Sequence, residues 1–133
     1  MANDFGKVLD KIASDNQQLN ANYKQLASAI EKLDLRLNAL RAGVRIEPYA
    51  ISKGGPSIGF RRFTDGWHIT TLLEGIGGLV SEIPVREAVP EVQVQLVGEF
   101  SGLLDQISKA IAGQVKASTS SVKQAESLLD ALP

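Results

Sequence analysis

The chain has 133 residues, 44% hydrophobic and 22% charged, with a formal net charge of −1. That is one globular domain, and neither a disordered tract nor a general polyanion binder. It contains no cysteine and one histidine, which excludes disulfides, thiolate metal sites, thiol catalysis and any site needing two imidazoles.

Residues 1–42 carry the strongest pattern. Leu9, Ile12, Asn16, Leu19, Tyr23, Leu26, Ile30, Leu33, Leu37 and Leu40 alternate in steps of three and four. This is a heptad repeat with Leu9, Asn16, Tyr23, Ile30 and Leu37 at a and the others at d. Phe5 extends it back by one d position. Asp4 is the expected N-cap and Gly43 the expected left-handed residue closing the helix. The g and e positions offer no attractive ion pairs, whereas Val8, Ala13, Ala27 and Ala29 widen the apolar stripe. A wide stripe points to more than one helical neighbour. Asn16 fits either a register-setting polar contact or a solvated end.

Residues 44–73 read as a β-meander head. Val44 to Ile51 holds Pro48 and suits an edge strand. Ser52 to Pro56 is a turn, Ile58 to Phe63 a second strand, and Thr64-Asp65-Gly66 a tight hairpin turn before a third strand from Trp67 to Leu73. Phe60, Trp67 and Ile69 are expected on one face. Residues 74–87 read as a Gly/Pro connector. Gly75-Ile76-Gly77-Gly78-Leu79 lacks the Lys-Ser/Thr that a phosphate loop requires.

Residues 88–132 read as a second long helix. Pro90 stands at its start, and apolar residues recur from Val92 through Leu96, Phe100, Leu103, Ile107, Ile111 and Val115 to Val122, Leu129 and Leu132. The run Ser118-Thr119-Ser120-Ser121 leaves a continuous helix and a break near 113–121 equally open.

The candidate chemistry is sparse. His68 neighbours Trp67, Arg61 and Arg62, yet no serine is tied to it by a motif, and an outward-facing strand histidine is the expectation. Arg41, Arg45, Lys53, Arg61 and Arg62 outweigh Glu47 and Asp65, leaving residues 41–68 at +3. Arg45, Arg61, Arg62, Trp67 and His68 are therefore the candidate head surface, with nucleic acid the less favoured partner. Glu87 and Glu91 suit the helix start. No catalytic residue, metal or cofactor is expected. No run approaches 18 uncharged apolar residues, and Met-Ala-Asn-Asp-Phe lacks the character of a secretory signal, so the expected setting is cytoplasmic, without a membrane.

The hairpin from Ile58 through Phe60-Arg61-Arg62-Phe63 to Trp67-His68-Ile69, followed by Pro84-Val85-Arg86-Glu87-Ala88 and an amphipathic helix, resembles small uncharacterised bacterial proteins. These place a helix, a Gly-aromatic-x-basic…Trp hairpin and a closing helix in that order. The resemblance implies the same layout and a bacterial source. It carries no catalytic residue across.

The expected fold is α+β: two long, coiled-coil-like antiparallel helices joined by a small two- to three-stranded antiparallel β-meander. The expected role is a non-enzymatic interaction or scaffold protein. It would self-associate as a homodimer, in a four-helix bundle, through the seam from Leu9 to Leu40, with a helical protein as a further possible partner. The alternatives are a nucleic-acid-binding regulator using the basic head and a small-ligand-binding protein.

Overall fold

The computed structural model describes residues 2–133 and is α+β. A long helix α1 (Ala2–Ala39) leads into four strands, β1 (Ile46–Ala50), β2 (Ser57–Phe63), β3 (Gly66–Glu74) and β4 (Val80–Pro84). A 3₁₀ turn (Val85–Glu87), a short helix α2 (Pro90–Val97) and a long helix α3 (Phe100–Ala131) follow. The strands form one antiparallel sheet in the order β1-β2-β3-β4.

The sheet therefore has four strands where the sequence pattern predicts two or three. The additional one is β4, which lies inside the expected connector. It is short, ends on Pro84, and pairs with the second half of β3, Thr71 opposite Ile83 and Leu73 opposite Ser81. Gly75 to Leu79 is the loop of this hairpin, closed by the Gly75 amide donating to the Leu79 carbonyl at 2.6 Å. Gly77 and Gly78 both take φ of +77° there, a conformation that glycine adopts without a Cβ penalty.

α1 ends in a Schellman motif. The Ala42 amide donates to Leu37 O and the Arg41 amide to Asn38 O, with Arg41 at φ +55°. The left-handed residue is thus Arg41 and not Gly43. Gly43 instead lies against the Trp67 indole, which a Cβ would approach to 3.4 Å. Arg41→Gly should consequently stabilise the fold by about 0.5–1 kcal/mol, because a non-glycine residue is strained at this position. Urea denaturation reads this directly, and a loss of stability would show that the Arg41 side chain contributes more than its backbone costs. At the other end, α1 begins at Ala2, so Asp4 lies in the first helical turn and not at the cap.

The core is a single cluster under one sheet face. Ile30 and Leu37 of α1 meet Ile58, Phe60 and Ile69 of the sheet, Val85 and Leu96, and then Phe100, Leu103 and Ile107 of α3. Phe60 is opposite Ile69 and Arg62 opposite Trp67, which puts Phe60, Trp67 and Ile69 on one face. The Phe60 and Trp67 rings stack with centroids 5.3 Å apart. On the reverse face, Gly59 allows Thr70 to approach: a Cβ there would stand 2.9 Å from Thr70 Oγ1.

The second helical region divides at Gly98–Glu99 rather than in the serine-rich run. α3 continues unbroken through Ser118–Ser121. Ser118 Oγ and Thr119 Oγ1 both donate back to the Val115 carbonyl, at 3.0 and 2.8 Å, which satisfies these hydroxyls inside the helix.

Only the halves of α1 and α3 nearest the sheet contribute to the core. Phe5, Leu9, Ile12 and Leu19 of α1, and Val115, Val122, Leu129 and Leu132 of α3, are exposed. The far halves of the two long helices therefore leave their seams open. Along its near half α1 packs against β3, the 3₁₀ turn and α2.

Candidate functional site

Where β4 stops, the edge of β3 is open on one side. β4 pairs with β3 only from Thr70 onward, so Trp67 and Ile69 face that edge without a strand beside them. α1 fills the place with side chains. Asn38 Oδ1 accepts from the Trp67 amide at 2.8 Å, and Asn38 Nδ2 donates to the Trp67 carbonyl at 2.7 Å. Asp34 Oδ1 accepts from the Ile69 amide at 3.0 Å. Spacing of four puts Asp34 and Asn38 on one helical face, and their polar groups stand in for a missing strand. Buried backbone groups require such partners.

Asp34 also begins a chain of charges. Its Oδ2 is 2.9 Å from His68 Nδ1, and His68 Nε2 is 2.9 Å from Asp65 Oδ1. Asp65 Oδ2 accepts from Arg86 Nη2 at 2.7 Å. The sequence pattern predicts an outward-facing His68, but it is 4% exposed. The reason is that its ring lies between two carboxylates supplied by α1 and by the Asp-Gly turn. Both ring nitrogens can be hydrogen-bonded only if the Asp34–His68–Asp65 chain carries two protons, since a neutral imidazole has one N–H. Burial pushes the Asp34 carboxyl above its ordinary value, opposed by its hydrogen bonds to the Ile69 amide and His68. The hydrogen bond to His68 holds the Asp65 carboxyl below the usual range.

The sign of the Asp65 effect is testable. A carboxyl whose folded value is depressed adds stability above its unfolded value, and this is lost as pH falls through the folded value. Asp65→Asn should therefore cost more stability at pH 7 than at pH 3. Urea midpoints at the two pH values measure this. An equal loss at both would show that Asp65 acts without its charge.

This cluster binds α1, the β2–β3 turn, β3 and the 3₁₀ turn together. Both His68 nitrogens are engaged by carboxylates. Among the described residues, no three His, Asp or Glu side chains are placed to hold a metal ion.

The candidate head residues are not brought to one surface. Arg45 and Arg61 lie on the reverse face of the sheet and converge on Glu82, at 3.3 and 3.9 Å; Arg45 also pairs with Glu47 at 2.7 Å. Thr70 Oγ1 donates to the other Glu82 oxygen at 2.6 Å. Arg62 is exposed on the opposite face, Trp67 is half-buried, and His68 is interior. The basic residues expected to give a cationic field are thus partly matched by acidic neighbours.

The heptad seam divides in two. Ile30 and Leu37 are buried and Leu26, Leu33 and Tyr23 half-buried, while Leu9, Ile12, Asn16 and Leu19 are exposed, as is Leu40 at the far end. α3 mirrors this, with Leu103 and Ile107 buried, Ile111 half-buried, and Val115, Val122, Leu129 and Leu132 exposed. Among the described residues no helix is long and apolar enough to cross a membrane. No known protein family, curated protein or solved structure matches the chain.

Proposed function

We propose that the protein is a non-enzymatic scaffold that self-associates through the projecting parts of its two long helices, forming a homodimer with a four-helix bundle. The observation that carries this reading is the heptad seam of α1, apolar except at Asn16, which runs from the buried Ile30 and Leu37 out to the exposed Leu9 and Ile12. A sequence that maintains this repeat beyond the reach of its own core presents a surface to another helix.

The magnitudes favour association. Phe5, Leu9, Ile12 and Leu19 with Val115, Val122, Leu129 and Leu132 are eight exposed seam residues. Burying each is worth about 1.5 kcal/mol, or roughly 24 kcal/mol over two chains. Association costs about 4–15 kcal/mol plus side-chain ordering. Light scattering after gel filtration tests the reading. The expected mass at micromolar concentration is twice the 14.2 kDa of one chain, and a monomer under those conditions overturns it.

A further inference from the structure

A pocket of about 130 Å³ lies between the β3–β4 ladder and the start of α2. Its walls include Thr71, Leu73 and Ile83 from the sheet and Ala88, Val89 and Val92 from the turn and α2. The pairing of Thr71 with Ile83 puts both side chains on the same sheet face, and this is the face that α2 approaches. Thr71 is 2% exposed, and its hydroxyl is the one buried side-chain polar group among the described residues without a hydrogen-bond partner. Such a group in a native fold calls for an explanation.

We propose that this pocket is a binding site for a small, neutral, single-ring compound carrying one oxygen that hydrogen-bonds Thr71, the class to which phenol belongs. The size fits: an engineered apolar cavity of about 150 Å³ holds benzene. The walls are aliphatic, and such pockets take apolar ligands oriented by very few polar groups. Glu87 at the margin disfavours an anion, and a charged ligand would lose its hydration against these walls. The hydroxyl of Thr71 can donate or accept, so a phenolic oxygen satisfies it either way. The site is separate from the helical seams and does not depend on self-association.

The test is a titration of the full-length, ¹⁵N-labelled chain with phenol and with benzene, followed by amide NMR. Phenol should give saturable shifts at Thr71, Leu73, Val89 and Val92. It should bind about fivefold more tightly than benzene, the factor expected for one additional neutral hydrogen bond. Thr71→Val, which keeps the shape and removes the hydroxyl, should bring the two affinities together. Val92→Phe, which fills the space, should abolish both. The proposal is overturned if phenol shifts no amide in this region, or if Thr71→Val leaves the phenol preference intact. Binding that persists in Val92→Phe overturns it as well. So does a shift of the same amides on dilution alone, because a second copy would then occupy the pocket.

Discussion

Asp34→Ala should lower the unfolding free energy by about 3 kcal/mol, because it strands two buried hydrogen-bonding groups, each worth about 1–3 kcal/mol when left unmade. The groups are the Ile69 amide, which Asp34 Oδ1 accepts at 3.0 Å, and His68 Nδ1, 2.9 Å from Oδ2. For a domain of this size the loss corresponds to roughly 10 °C in Tm. Asp34→Asn should behave differently. Its amide oxygen still accepts from Ile69, and its NH₂ donates to His68 Nδ1 once the imidazole carries its proton on Nε2, toward Asp65. The neutral amide also avoids the burial cost that raises the Asp34 carboxyl. Its cost should stay below about 1 kcal/mol. Urea unfolding of both variants separates the two cases. Equal losses would mean that Asp34 is held by packing and does not cap the strand.

The second large effect concerns association and rests on the proposed dimer. The double substitution Ile12→Asp with Leu19→Asp should weaken self-association by at least about 100-fold, since it removes two large apolar side chains per chain and buries carboxylates in their place. Within a single chain both positions are exposed, so the folded head should be unaffected. Light scattering should report the single-chain mass at concentrations where the parent is dimeric. Near-ultraviolet circular dichroism of Trp67, stacked on Phe60 at 5.3 Å, should be unchanged. A variant that keeps both its head signal and its dimer would place the interface elsewhere.

These two regions differ in how far the amino-acid sequence discloses them. The helix of α1 is legible because its signal is periodic and repeated over ten seam positions. The hairpin of β2 and β3 is legible because Asp65-Gly66 fixes the turn. Asp34 is not legible, since it occupies an e position in the heptad, where a carboxylate reads as solvated; only its burial beside β3 gives it a role. Asn38, one turn later, falls at a b position, where an amide also reads as solvated. β4 escapes because Val80 to Pro84 is short, ends in proline and stands between a glycine loop and a turn. His68 reads as a surface residue because its partners are 34 positions upstream and 3 positions before it, and only folding makes the distant one a neighbour. Periodicity shows that each long helix has an apolar face, but not that only the half nearest the sheet is buried in the core.

The way α1 completes the sheet has a consequence for the integrity of the chain. Strand edges that are bare and apolar recruit other strands, and the segment from Trp67 to Ile69 is shielded from this only by Asp34 and Asn38. Cleavage between α1 and β1 followed by loss of the helix would leave a fragment whose sheet could grow by adding copies of itself. The helix thus covers the edge of a strand that lies 29 residues away in the sequence.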